Sequence, residues 1–200
     1  GYVAANLQPE RLAPVLDELR DRASARAYSA MWNDGDLEVV QIRGRRGARE
    51  LQDVTKGFRG AAHGLALGKI YLAHLPEEEW PTSLNGPTYK RYTPATITSP
   101  AALRRHLVLV RQNDLAYDLQ EFSPGACCIA APIRDGRNGL VATLGISVPA
   151  RRFEAEQKQL VKVIRDLAAE ASAELGPATA PPLRPPEASG PSPGGGAGIA

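Results

Sequence analysis

Sulfur is scarce in this chain of 200 residues: one methionine and two cysteines, Cys127 and Cys128. The cysteines are adjacent, and neighbours on an extended strand point to opposite faces, so a structural disulfide between them is not expected and nothing points to an oxidising compartment. Long apolar runs are missing as well. None approaches the roughly 20 residues that a membrane-spanning helix needs, and the opening GYVAANLQPERL lacks the charged-then-apolar order of a secretory signal. The expectation is a cytoplasmic protein with no membrane partner. Charge of one sign is also lacking: a formal net charge of +2 supplies no concentrated basic field for a phosphate backbone, so these residues are not expected to bind DNA directly. The three histidines, His63, His74 and His106, show no metal-ligand spacing. No metal or cofactor is expected, and His74 and His106 are expected on helix surfaces.

What the chain does have is apolar patterning, with 43% hydrophobic residues, enough for one buried core. A patterned body, residues 1–176, gives way to PATAPPLRPPEASGPSPGGGAGIA, whose Pro, Gly, Ala and Ser cannot offset the entropy of ordering. Residues 177–200 are therefore expected to form a disordered tail. In the body, Leu12, Val15, Leu16 and Leu19 recur at helical spacing behind Pro9. ARAYSAMW and LEVVQI read as strands joined by the turn Asn33-Asp34-Gly35-Asp36. The arginine- and glycine-rich stretch 44–60 has neither period and reads as a long loop; Arg43 just before it and Arg45, Arg46 and Arg49 within it suit a solvated surface or an acidic neighbour better than nucleic acid. A helix is expected over 61–75, with Leu65, Leu72 and Leu75 on one side and Leu67, Tyr71 and His74 elsewhere. A second begins at the Ser99 cap before Pro100 and runs to Asn113. Strands follow at 115–121, 126–134 and 140–148, then a helix over 153–175 with Leu160, Val163, Ile164 and Leu167 on one stripe. Strands and helices in this order, with hairpin connections, indicate an α+β domain on a mainly antiparallel sheet.

Alternation divides the last three strands into two unlike faces. Leu115, Tyr117, Leu119, Ile129, Ile133, Leu144, Ile146 and Val148 make a bulky face that should pack on the terminal helices. Opposite lie Ala116, Asp118, Cys128, Ala130, Thr143, Gly145 and Ser147, too small or polar to fill an interior at native density. Such a face is often simply solvated. Here it carries few charges and no long side chain to cover it, and helix 61–75 must bury apolar residues somewhere, so a covered face with room for a ligand is expected.

Three segments carry a family resemblance: AAHGLALGKIYLAHLP at 61–76, YDLQEFSPGACCIAAPIRD at 117–135 and GLVATLGISVP at 139–149. Together they resemble the effector-binding domain of the IclR family of bacterial transcriptional regulators, over roughly Tyr2 to Leu175. The resemblance implies a GAF-like sheet with helices on both faces, and a small carboxylate or aromatic acid lying between the motif helix and the sheet. His63-Gly64-Leu65-Ala66-Leu67-Gly68-Lys69 stands at the helix motif, whose backbone amides at Ala66, Leu67 and Gly68 would meet the effector. Asp118 stands at the family's acidic position, Cys128 at its cysteine position, and Gly145 and Ser147 at its serine pair.

Three departures bear on the ligand, the first being that the helix motif lacks the usual Thr or Ser before Gly68-Lys69. Leu67 occupies a position where smaller residues are common, narrowing the cavity or making it more apolar, and Gly145 removes one hydroxyl donor. A larger, more apolar or aromatic acid then fits at least as well as a very small polar one. The resemblance also implies a homodimer or tetramer, and operator DNA bound through an N-terminal winged helix-turn-helix domain that this chain lacks, making it a fragment of a longer regulator. A sensing role without catalysis is the expectation. The alternative is a free-standing GAF-like binding protein or an enzyme, with Cys128 as nucleophile, His63 as base and Asp118 as orienter. The stretch Gly64 to Lys69 is not a phosphate loop, since its glycines are one residue too close and Ile70 stands where a Ser or Thr is required.

Overall fold

Two left-handed residues, Asp34 (φ 49°) and Gly35 (φ 75°), fold strands β1 (Arg26–Asn33) and β2 (Asp36–Arg43) into a tight hairpin, the turn geometry that matches strand twist. The computed structural model describes residues 7–44 and 54–175. Within them, β3 (Ala116–Leu119), β4 (Ala126–Arg134) and β5 (Leu140–Pro149) complete a five-stranded sheet of order β2-β1-β5-β4-β3, every pairing antiparallel. This is the α+β architecture expected from sequence. The 177–200 tail and Arg45, Arg46 and Arg49 lie outside the described residues, and Arg43 ends β2 with Nε 3.2 Å from Asp17.

Helices cover both faces. On one, α1 (Ala13–Ala23) and α4 (Ala150–Leu175) lay Leu16, Leu19, Leu160, Val163, Ile164 and Leu167 over Ile129, Ile133, Leu144, Ile146 and Val148. The bulky face is thus ordinary core, as its alternation indicates. On the other, α2 (Ala66–His74) lies on the sheet and α3 (Pro100–Asn113) packs on α2 through Leu103, Leu107 and Val110. Ser99 caps α3, its Oγ accepting from the Ala102 N–H at 3.4 Å. Among the described residues no helix is long and apolar enough to cross a membrane.

Several boundaries and exposures differ from the sequence expectation. The helix expected over 61–75 starts only at Ala66; residues 62–64 form a turn, entered through Ala61 at φ 56°. Nor is it one-sided, since every residue from Ala66 to Ala73 is buried, Leu67 and Tyr71 included. A helix enclosed between a sheet and another helix has no solvent face to keep polar. The stretch 44–60 is not all free loop: the Val39 N–H donates to Phe58 O at 2.9 Å and the Gly57 N–H to Val39 O at 2.8 Å, so its described end hydrogen-bonds to β2. β3 stops at Leu119, which is 47% exposed because the apolar cover ends one pair earlier, where Tyr117 meets Phe153 edge-on at 5.9 Å. His74 and His106 are part-buried rather than on open surface. His74 Nδ1 meets Ile70 O at 2.8 Å and its Nε2 lies 3.2 Å from Asp114.

Leu119 and Ile129 share a face by alternation yet differ in burial, so truncation separates them. Ile129→Ala should cost about 2–5 kcal/mol, the range for cavity-forming core changes, and Leu119→Ala within about 0.5 kcal/mol, as at ordinary surface sites. Denaturant midpoints of the two variants measure the difference, and equal losses would contradict the placement of the core boundary.

Candidate functional site

Strand register assembles the small and polar residues into rows beneath α2. Asp118 pairs with Cys128 and Cys128 with Ser147, across three strands. One step along, Ala116, Ala130, Gly145 and Tyr28 form the adjacent row. Helix α2 approaches this surface closely. A Cβ on Gly68 would lie 2.4 Å from Ala62 Cα, so only glycine lets the helix sit against the preceding turn. A Cβ on Gly145 would lie 2.7 Å from Leu67 Cδ2, so the leucine occupies the volume that any larger residue there would claim.

Ligand room on this face is therefore much smaller than its side-chain sizes suggest. The enclosed space lined by Tyr28, Val54, Ala66, Leu67, Cys128 and Gly145 amounts to about 10 Å³, roughly what one water needs. Of the seven residues singled out from sequence, Ala66, Leu67, Cys128 and Gly145 line it. Asp118 and Ser147 adjoin it through Cys128, and Gly68 meets Ala62 instead.

Beside this space lies an unusual density of buried polarity. Asp118 is fully buried, and its Oδ1 accepts the N–H of Glu121 at 2.6 Å and of Phe122 at 3.2 Å. Its Oδ2 and the Ser147 Oγ are buried with no hydrogen-bond partner among the described residues' N–H and O–H groups, a costly condition for polar atoms. The Cys128 thiol stands between the two and feels both, and burial pushes its pKa well above the usual range. Burial likewise raises the Asp118 carboxyl to about 7, against the opposing pull of the two backbone N–H groups and Lys69. Lys69 itself is fully buried, its Nζ donating to Glu121 Oε1 at 2.5 Å and to Tyr117 O at 2.8 Å.

A cysteine nucleophile is poorly served here. Its thiol needs a lowered pKa, whereas Cys128 is raised, and His63 commits Nε2 to Lys90 O at 2.8 Å between Tyr89 and Tyr92. Among the described residues, no cluster of three His, Cys, Asp or Glu side chains could hold a metal ion.

Residues 7–173 match the family model of the bacterial transcriptional regulator IclR C-terminal domain. The chain belongs to the IclR family. It is 32% identical over 173 residues to the HTH-type transcriptional regulator BhcR of Paracoccus denitrificans, covering 86% of this chain and 60% of BhcR. To the HTH-type transcriptional regulator KdgR of Escherichia coli it is 37% identical over 121 residues, 60% of this chain and 46% of KdgR. The chain thus spans about half the length of the curated relatives it matches. The crystal structure of the KdgR C-terminal domain superposes with a TM-score of 0.71 at 27% identity, over 83% of this chain and 96% of that domain. The GAF-like fold of IclR C-terminal domains is therefore the fold of this one.

Two of the departures noted from sequence, Leu67 and Gly145, are in contact. The burial of Lys69 and the role of Glu121 were not anticipated. Lys69 had a signal, as the only Lys, Arg, Asp or Glu in LALGKIYLAHL. Glu121 had none, since it lies beyond the end of β3 and is positioned by Asp118.

Two measurements follow from this buried polarity. Removing one member of a buried ion pair strands the other, so Lys69→Met should cost about 3–5 kcal/mol, and adding Glu121→Gln should recover a large part of it; a single-variant loss under about 1 kcal/mol in urea melts would contradict the pair's role. The second concerns pH. Asp118 carries a raised pKa in the folded state, so its contribution to stability is fully present below the ordinary carboxyl value of 3.8 and is lost as pH rises to about 7. His63, His74 and His106, whose pKa values burial lowers, act in the opposite direction, losing stability as pH falls through their range. The difference between the parent and Asp118→Asn isolates the carboxyl: the parent should lose stability relative to the variant between about pH 4 and pH 7, and parallel stability curves would contradict it.

Proposed function

We propose that this chain is the effector-sensing domain of an IclR-type regulator, and that its effector is an organic acid with a substantial apolar or aromatic part, bound between α2 and the sheet. The observation that carries this reading is the pair of buried polar atoms, Asp118 Oδ2 and Ser147 Oγ, which have only the weak Cys128 thiol between them as a neighbour, beside a space closed by Leu67. The Ser147 hydroxyl would donate to a ligand carboxylate oxygen, and Asp118 Oδ2 would accept from a ligand hydroxyl or, when protonated below about pH 7, donate to the carboxylate. The backbone amides of Ala66, Leu67 and Gly68 would serve the rest of the carboxylate.

Entry requires Leu67 to leave its place over Gly145, since the existing space is of water size. That movement links occupancy to the position of α2, because Leu67 and the buried Lys69 belong to one short helix. A ligand that binds the displaced arrangement more tightly shifts the equilibrium toward it. In the whole protein, the shift would pass to a DNA-reading domain of the kind named in the HTH-type relatives, arranged in a homodimer or tetramer on operator DNA.

Leu67→Ala tests the gate. It should open the space and, for benzoate and its hydroxylated forms, tighten binding by calorimetry, at a stability cost of about 2–5 kcal/mol. Ser147→Ala should weaken the same ligands by about 1.5–3 kcal/mol if the hydroxyl meets a carboxylate. Gly145→Leu should abolish binding. Unchanged affinity in all three variants would place the effector elsewhere.

A further inference from the structure

Outside the site under Leu67, on the far side of the turn that leads into α2, lies a second concavity of about 500 Å³, within the range of small-molecule pockets. Its walls are aromatic. Phe58 meets Phe122 edge-on at 5.8 Å, Tyr92 lies 5.0 Å from Phe122, and the buried His63 stacks behind Tyr92 at 5.5 Å. Four rings from three separate segments converge here. Each is held from behind: Phe122 by its N–H to Asp118, Phe58 by the strand-like bonds to Val39, Tyr92 by its N–H to Thr96 Oγ1, and His63 by Lys90 O.

The charges at the rim are unequal. Arg59 lies 3.2 Å from Glu38 and 3.6 Å from Asp34, which neutralise it. Asp36 Oδ1 accepts the Leu37 N–H at 2.7 Å. Lys90 is exposed and has no carboxylate partner among the described residues, and its ammonium stands 5.1 Å from the Tyr92 ring centre. A planar ligand lying over this ring cluster would stack on aromatic surface, and its negative group would meet the Lys90 ammonium beside Tyr92.

We infer that this aromatic chamber is a second ligand site, distinct from the one under Leu67, and that it takes planar aromatic carboxylates. The inference does not rest on the effector assignment above, because the two spaces share no lining residue. They share a support: the loop Glu121–Phe122 hangs from Asp118 Oδ1, so the outer chamber borders the inner polar row through one carboxylate.

The test uses 2-naphthoate, cyclohexanecarboxylate and a naphthyl ammonium as probes, with calorimetry and amide chemical shifts on the whole chain. Naphthoate should bind, should move the Gly60, Lys90 and Phe122 amides, and should outbind both other probes at least tenfold. Lys90→Glu, an exposed change that leaves the fold intact, should weaken it at least tenfold, and Tyr92→Leu likewise. Ser147→Ala and Gly145→Leu should leave its affinity within about twofold, even if they abolish binding of smaller acids. Three results would overturn the inference: no naphthoate binding at millimolar concentration, loss of binding in Gly145→Leu with none in Lys90→Glu, or equal affinity for the ammonium probe. If benzoate fails under Leu67 while naphthoate binds as described, the effector assignment falls and the outer site stands.

Discussion

Helix α2 is enclosed between a sheet and α3, and that enclosure governs everything around the candidate site. Nothing on α2 from Ala66 to Ala73 reaches solvent appreciably, so each side chain needs an internal counterpart. Gly68 is small because Ala62 is in the way, Gly145 is small because Leu67 is large, and Lys69 is tolerable because Glu121 meets it. A charge in such a position costs several kcal/mol to desolvate, which only close pairing and added hydrogen bonds offset. Tyr117 O supplies one such bond.

The same enclosure closes the candidate site. Volume on the sheet face is surrendered by alanine, glycine and cysteine, then reclaimed by one leucine from the helix. A leucine has no hydrogen bonds to give, so Asp118 Oδ2 and Ser147 Oγ are left with only the weak Cys128 thiol as a neighbour. Asp118 is central because it has two tasks: one oxygen anchors the Glu121–Phe122 loop, while the other faces the polar row without a partner.

Much of this was legible in sequence, for identifiable reasons. Strand parity depends only on alternation, and it sorted the two sheet faces correctly, because Asp118, Cys128 and Ser147 must share a side if β3, β4 and β5 pair in register. The Ser99-Pro100 cap and the Asp34-Gly35 turn are local chemistry and were equally plain. The start of α2 was not, because the apolar run AAHGLAL is as compatible with a buried turn as with a helix. Cavity size was misjudged because residue volumes on one layer say nothing of what the facing layer inserts; Leu67 was visible as an oddity, and its contact with Gly145 was not. Exposure of Leu119 depends on where α4 begins relative to the sheet edge, a tertiary fact. The aromatic chamber unites residues 58, 63, 92 and 122, far apart in the chain and without a shared period.

In the proposed function, occupancy of the site and displacement of Leu67 are one event. A crystal structure of this chain with bound benzoate or a hydroxylated relative tests it most directly. The carboxylate should then lie within hydrogen-bond distance of Ser147 Oγ, or of a protonated Asp118 Oδ2, with the Leu67 side chain moved off Gly145. A bound acid elsewhere, with Leu67 still seated over Gly145 and both polar atoms still unpartnered, would contradict it.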